Sequence, residues 1–327
     1  MVEATKKYDV IIVGAGPAGL AAAIYTLRKE FSTLLISEDI GGQVTITNEV
    51  ENYPGIDFAT GPDLMTAFRK QVDKFGGKFD FARVEKIEKN GDGFSVAANN
   101  GKTYSATVVI LAFGLTPRSL GVPGEDRLKG RGVAFCATCD APFYKGKTAA
   151  IVGGGNSAME AVEELCKVAK QVYLLHRGAQ FDRAEQILVD KLPSFPNLKV
   201  FLNSEVVEFL GDKKLEKILV HDNTLQQENF ELTVDGCFLE IGYITQTKWL
   251  GGLVKLTDRG EIAINERCET SVPGLFAAGD VTTLPFKQIV ISSGEGAKAA
   301  LSAAQYISRA TGREVKPDWG TGKKSNS

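Results

Sequence analysis

The chain has 327 residues, with 38 Lys+Arg against 40 Asp+Glu, 43% hydrophobic and 24% charged. That length favours two domains and the composition is globular, not disordered. Near-neutral charge excludes the basic footprint of a nucleic-acid binder or a polybasic membrane-surface protein. Gly is in excess, at 35 residues, where about 7% is usual. Five cysteines are too few, and odd in number, for a disulfide-built secreted fold.

Residues 1–8 are short and polar, without a basic-then-apolar leader. No run of about 18 apolar residues follows, so a cytoplasmic chain with no membrane span is expected. Residues 9–13 (DVIIV) read as a strand buried on both faces. A Gly-rich turn, an Ala-rich helix over 17–29 and a strand over 32–37 complete a βαβ unit of about 30 residues. Residues 78–105 read as short strands separated by Asn90-Gly91-Asp92-Gly93 and Asn99-Asn100-Gly101 turns. The plan then repeats: a strand over 148–152, Gly153-Gly154-Gly155, a helix over 157–168, a strand over 171–175, and a β-rich stretch over 203–227. A helix is expected over 288–306, and residues 316–327 read as a frayed end. Two nucleotide-binding domains account for the duplicated plan better than a solenoid.

The first turn, Gly14-Ala15-Gly16-Pro17-Ala18-Gly19, is G-x-G-x-x-G between strand and helix. It suits a tight turn, backbone approach to a pyrophosphate, and helix packing. Glu38 ends the second strand about 20 residues on, where an acid bonds a ribose hydroxyl. An acid there selects FAD or NAD over NADP. The second turn, Gly153-Gly154-Gly155-Asn156-Ser157-Ala158, is G-x-G-x-x-A. His176-Arg177 ends its second strand, with Arg183 nearby, and a base there suits the 2′-phosphate of NADPH.

Cys136-Ala137-Thr138-Cys139-Asp140 is a C-x-x-C. A zinc site lacks further soft ligands, because Cys166, Cys237 and Cys268 are scattered and His176 and His221 are not at ligand spacing. A dithiol that cycles with a disulfide is favoured. Asp140 serves either as its proton donor and acceptor or as a helix cap. Near the C-terminus, Gly279 permits close backbone approach and Asp280 can accept from a ribityl hydroxyl. The small residues Ser292, Ser293, Gly294, Gly296 and Ala297 suit either a flat cofactor or plain helix packing.

These motifs, with Gly41-Gly42-Gln43 and Glu49-Val50-Glu51-Asn52-Tyr53-Pro54-Gly55, resemble the low-molecular-weight thioredoxin reductases over residues 9–306. The resemblance implies an α/β fold of two Rossmann-like domains of the three-layer FAD/NAD(P) type, the second inserted into the first. Residues 1–118 and 245–327 would form the FAD domain, and 119–244 the NAD(P)H domain carrying the C-x-x-C. It implies FAD held by Gly14, Gly16, Pro17, Ala18, Gly19, Glu38, Gly42, Gln43, Asn52, Gly279, Asp280, Gln288 and Ile289. NADPH would lie on Gly153, Gly155, Asn156, Ser157, Ala158, His176, Arg177 and Arg183. Cys139 would face the flavin, Cys136 would attack the partner disulfide and Asp140 would act as acid and base. The resemblance further implies thioredoxin or a thioredoxin-like partner, a homodimer, and a smaller domain that rotates between two poses.

One stretch departs from the family pattern. Gly178 stands where the family has a second Arg, Arg183 falls one residue late, and Asp182 sits beside it. Losing one charge-assisted contact costs roughly 1.5–3 kcal/mol, or about 10- to 100-fold in affinity. Asn156 replaces the family's usual Asp. The departure leaves ferredoxin open as electron donor. A glutathione-reductase-type enzyme is disfavoured because no Cys precedes Cys136, and a ferredoxin–NADP reductase would not need the dithiol. A non-catalytic flavin redox sensor would not need a second nucleotide fold.

Overall fold

The computed structural model describes residues 6–47, 49–224 and 229–314. The tail over 316–327 and the end of the stretch over 203–227 lie outside the described residues. The first apolar run forms β1 (Lys6–Val13), in which Val10, Ile11 and Ile12 are fully buried. Burying each such side chain contributes roughly 1.5–3 kcal/mol. Helix α1 (Pro17–Arg28) starts with Pro in its first turn, where no intrahelical donor is lost. It leads to β2 (Thr33–Ser37), parallel to β1. Helix α2 (Gly61–Lys74) is capped by Thr60, whose hydroxyl accepts from the Asp63 N–H at 3.1 Å. Strand β3 (Lys78–Phe81) extends the parallel sheet beyond β2.

Strands β4 (Val84–Asn90) and β5 (Gly93–Ala98) form the hairpin read from Asn90-Gly91-Asp92-Gly93. Strand β6 (Thr103–Leu111) serves two pairings: its first half runs antiparallel to β5 and its length runs parallel to β1. Period-2 alternation splits β1. Ile11 and Val13 join a core with Phe94, Val96 and Val109, while Ile12 approaches α1 on the other face.

The next stretch begins with β7 (Thr116–Pro117), α3 (Glu125–Leu128), β8 (Val133–Ala134) and α4 (Ala137–Asp140). Then come β9 (Thr148–Gly153), α5 (Asn156–Cys166), β10 (Gln171–Leu175), α6 (Gln186–Val189) and β11 (Leu198–Phe201). Strands β12 (Ser204–Leu210), β13 (Lys217–Asp222) and β14 (Asn229–Thr233) make an antiparallel sheet. Strands β15 (Gly236–Glu240) and β16 (Tyr243–Ile244) follow. A parallel sheet runs β11-β10-β9-β15-β8. Ala149 and Ile151 of β9 pack with Met159, Val162 and Leu165 of α5. Ala150 and Val152 pack with Phe209, Ile218 and Val220 of the antiparallel sheet. Helix, parallel sheet and antiparallel sheet thus form three layers.

The chain then returns to the first sheet as β17 (Leu275–Ala277), parallel to the end of β6, and closes with α7 (Ile289–Thr311). Helix α7 packs on α1: a Cβ at Gly296 would lie 2.0 Å from the Ala18 carbonyl. Small residues there serve helix contact. The described residues divide into two compact units. The first comprises the chain up to Thr45, Tyr53–Leu115 and the chain from Thr245; the second comprises Ile46–Asn52 and Thr116–Ile244. Residues 46–52 and 116–118, expected with the first domain, group with the second unit. Thr47 reaches Asp140, and Thr116 pairs with Ile244 across β7 and β16. No described helix is long and apolar enough to cross a membrane.

Candidate functional site

In the first unit the glycine turn joins β1 to α1. Gly14 adopts φ +104°, and a Cβ there would lie 2.4 Å from the Ala112 carbonyl oxygen. A Cβ at Gly19 would lie 2.0 Å from the Gly14 carbonyl oxygen, so both positions exclude any side chain. Gly16 differs, because the nearest atom to a Cβ there is the Gly41 carbonyl oxygen at 3.9 Å. Gly16 and Gly42 therefore border open space. Helix α1 has no side-chain cap at Gly16, so its first N–H groups remain for a ligand. Pro17 and buried Ala18 open that helix, and exposed Glu38 directly follows β2.

The surrounding loops are fastened. Gly42 N–H donates to Asp39 at 3.2 Å, and the Gln43 amide donates to the Leu115 carbonyl at 2.5 Å. Asp280 follows β17 across Gly279 and accepts from the Ser292 hydroxyl at 2.9 Å. Burial above all raises its carboxyl above the usual range, while the Ser292 bond and the Lys287 charge oppose the rise. Gln288 and Ile289 begin α7, again without a side-chain cap. Open space at Gly16 and Gly42, uncapped helix N–H groups and the half-buried Asp280 carboxyl fit a dinucleotide with a polyhydroxyl chain, which is the chemistry of FAD. Asn52, grouped with these residues by the resemblance, lies in the second unit.

In the second unit three neighbouring parallel strands carry the chemistry at their carboxyl ends. Strand β9 enters the second glycine turn, β8 enters the C-x-x-C, and β15 between them ends at Glu240, in register with Gly153. A Cβ at Gly155 would meet nothing within 4 Å, and α5 has no side-chain cap there. That is the opening a pyrophosphate needs. The loop after β10 folds back onto this turn: Arg183 bridges Gly155, and the Glu185 N–H donates to Asn156 at 2.8 Å. Ser157 and Ala158 lie in the first turn of α5. Arg177 and Arg183 are exposed, as is Asp182.

The His176 ring is wedged in place. Its Nε2 lies 3.0 Å from the Gln180 carbonyl oxygen, and the ring lies 5.1 Å from that of Phe181. A Cβ at Gly154 would stand 2.2 Å from the imidazole, and one at Gly178 would stand 2.8 Å from Nε2. The departure at 178 thus has a physical correlate: an Arg there would have to push the His176 ring aside. These residues fit a pyridine dinucleotide, with a thinner cationic grip than the family motif implies.

Cys136 and Cys139 form a disulfide with Cα atoms 5.3 Å apart, an ordinary span for such a bond. The Cys139 N–H donates to Cys136 Sγ at 3.3 Å. Asp140 makes no helix-cap bond; its Oδ1 accepts from the Thr47 hydroxyl at 3.4 Å. Burial pushes its carboxyl up to about 6, with nearby Glu49 adding and the Thr47 bond opposing. Cys166, Cys237 and Cys268 are free thiols, and burial raises all three above the usual thiol range. Among the described residues no three His, Cys, Asp or Glu side chains converge on a metal position. Thr47 and Glu240 escaped the sequence reading, since neither belongs to a spaced motif, and Glu49 was read only as part of the Glu49-Val50-Glu51-Asn52-Tyr53-Pro54-Gly55 stretch; only the fold brings all three to α4.

The family model for pyridine nucleotide-disulphide oxidoreductases matches residues 8–305. An alkyl hydroperoxide reductase polypeptide of Pseudomonas putida is 41% identical over 311 residues, covering 94% of this chain and 60% of that protein. The chain therefore spans about 60% of the length of that curated relative. Thioredoxin reductase from Streptococcus pyogenes MGAS5005 superposes with a TM-score of 0.88 at 34% identity, covering 94% of this chain and 100% of that one. Thioredoxin reductase from Giardia duodenalis does so with 0.85 at 30% identity, covering 93% and 100%. The cofactors of this group are FAD and NADPH, consistent with the two glycine turns. The chain belongs to the pyridine nucleotide-disulphide oxidoreductase family and has the fold of its low-molecular-weight thioredoxin reductases.

Proposed function

We propose that this chain is a thioredoxin-disulfide reductase, drawing electrons from NADPH and passing them by way of the Cys136–Cys139 disulfide to thioredoxin or a thioredoxin-like protein. The observation that carries the reading is the Cys136–Cys139 disulfide, borne by the unit that holds the second glycine turn and followed directly by Asp140. Bound FAD would supply the two-electron relay between nicotinamide and disulfide. Gly14, Gly16, Gly19, Glu38, Gly42, Gln43, Gly279, Asp280 and the start of α7 would hold it. Gly155, Asn156, Ser157 and Ala158 would seat the nucleotide pyrophosphate, with Arg177 and Arg183 toward its ribose end. A cytoplasmic homodimer goes with this reading.

The reduced Cys136 thiolate attacks a sulfur of the partner disulfide and expels the other as thiolate. Cys139 then attacks Cys136 Sγ, which restores the internal disulfide and frees the second partner thiolate. Asp140 gives a proton to the departing sulfur. Asp140→Asn is therefore expected to slow turnover by about 10²- to 10³-fold while leaving FAD bound. Stability moves the other way. A carboxyl raised to about 6 costs the fold stability as pH rises from about 4, its ordinary value, to about 6, and that cost persists above. Thermal melts should show Asp140→Asn more stable than the parent at pH 8 and equal to it near pH 3.

The reading is tested with FAD-loaded protein under anaerobic conditions, supplying NADPH, NADH or reduced ferredoxin separately. NADPH should bleach the flavin and, with thioredoxin, reduce dithionitrobenzoate. The gap between NADPH and NADH should be about 10- to 100-fold smaller than a full set of 2′-phosphate contacts gives. Thiols produced by ferredoxin and by neither nucleotide would replace the donor while keeping the dithiol chemistry. Inactivity toward thioredoxin, with activity toward an acceptor linked to alkyl hydroperoxides, would favour the activity in the name of the curated relatives.

A further inference from the structure

The loop over 176–185, between β10 and α6, lies along the second glycine turn. Its first half is held at His176, whose ring would stand 2.2 Å from a Cβ at Gly154, and at Gly178, whose carbonyl accepts from the Asn203 N–H at 3.0 Å. Its second half is fastened to the turn at two places. Arg183 pairs with Gly155 in a parallel bridge, and Glu185 forms a reciprocal pair with Asn156. The Asn156 Oδ1 accepts from the Glu185 N–H at 2.8 Å, while the Asn156 Nδ2 donates to the Glu185 Oε1 at 2.9 Å. An amide serves both roles, donor and acceptor, so Asn156 and Glu185 are a matched set. An acid at 156, the family's usual residue, would face Glu185 with a second carboxylate. The fastened backbone carries two exposed cations, Arg177 and Arg183. Neither guanidinium has a hydrogen bond or ion pair among the described residues, so both remain for a ligand.

We propose that Glu185 is a positioning residue for nucleotide selectivity: held by Asn156, it keeps the Arg183 backbone on Gly155 and so presents the Arg183 guanidinium to a 2′-phosphate. The inference rests on the nucleotide site and the role of Arg183 proposed above. Arg183 falls one residue late and beside Asp182, so its reach depends on where its backbone is held. A long side chain loses rotamer freedom when it grips a phosphate, and a backbone pinned beforehand lowers the cost of ordering the contact. The charge of Glu185 works the other way. A carboxylate near a phosphate repels it, so charge alone requires that removing Glu185 strengthen the hold on a 2′-phosphate. Positioning requires that the hold weaken. The two effects differ in sign, which makes them separable.

The test is calorimetry on FAD-loaded protein with two probes, ADP-ribose and 2′-phospho-ADP-ribose. They differ only in the 2′-phosphate and carry no nicotinamide. The parent should bind the phosphorylated probe more tightly. Glu185→Ala should cut that preference by about fivefold or more and leave the affinity for ADP-ribose within about twofold of the parent's. Glu185→Gln keeps an acceptor for the Asn156 Nδ2 and should hold the preference at or above the parent's level. Asn156→Asp should lower it, and adding Glu185→Gln should restore it, because an amide donor then faces the new carboxylate. In an Arg183→Ala background, Glu185→Ala should change the preference by less than about twofold, since Glu185 acts through Arg183. Glu185 is exposed, so its variants should fold as the parent does. A preference unchanged or raised in Glu185→Ala overturns the proposal. So does an equal loss of affinity for both probes, a fall in Glu185→Gln as large as in Glu185→Ala, or an effect of Glu185→Ala that persists without Arg183. Equal binding of the two probes by the parent would remove the NADPH reading and this inference with it, whereas a parental preference that survives Glu185→Ala removes the inference alone.

Discussion

Cys139→Ser is expected to abolish turnover and to convert the chain into a trap for its partner. With Cys139 gone, the Cys136 thiolate can still attack a partner disulfide, forming one S–S bond and expelling one thiolate. No second thiol is then in place to resolve the mixed disulfide, because the remaining cysteines do not share its turn: Cys166 lies in α5, Cys237 in β15, and Cys268 in the first unit. Burial also holds these thiols above the usual range, which starves them of thiolate. Non-reducing electrophoresis with thioredoxin should show a covalent adduct for Cys139→Ser and none for Cys136→Ser. Adducts formed equally by both variants would contradict the assignment of Cys136 as the outward nucleophile. Flavin content should match the parent in both, since neither cysteine lies in the first unit.

The second large effect is expected at Gly19. A valine there must place its Cβ 2.0 Å from the Gly14 carbonyl oxygen unless α1 moves off the sheet. Overpacking against backbone costs about 3 kcal/mol or more, a large part of a domain's total stability. Gly19→Val should purify without flavin absorbance and unfold at a markedly lower denaturant concentration. Gly16→Ala provides the contrast. Its Cβ would lie 3.9 Å from its nearest neighbour, and Gly16 already has a negative φ of −75° that alanine accepts. The apo protein should keep its stability within about 0.5 kcal/mol, while FAD affinity falls because the added methyl enters the open face of the turn. Equal flavin content in Gly16→Ala and the parent would show that the cofactor does not approach that face.

Much of this was legible along the chain because the signals are local. Residues 10–13 are apolar without interruption, and they form a strand buried on both faces. Asn90-Gly91-Asp92-Gly93 closes a hairpin, and Pro17 opens α1. The C-x-x-C spacing brings two thiols within disulfide reach on a single turn. The small residues of α7 were ambiguous between a flat ligand and a packed helix, since both ask for missing side chains. The fold assigns Gly296 to contact with α1 and turns Ser292 toward Asp280.

The sequence by itself determined the two glycine turns, the redox pair and the order of strands and helices around them, because each depends on residues a few positions apart. Tertiary structure alone decided what surrounds the reactive groups. Burial raises the Asp140 carboxyl, and Thr47 and Glu49, more than 90 residues away in the chain, adjust it in opposite directions. Glu240 reaches Ala137 from 103 residues away and clasps the disulfide turn. The His176 ring closes over Gly154 and would lie 2.8 Å from a Cβ at residue 178. Such contacts arise where parallel strands end side by side, and strand order in a sheet follows from packing and crossover connections rather than from any spacing in the sequence.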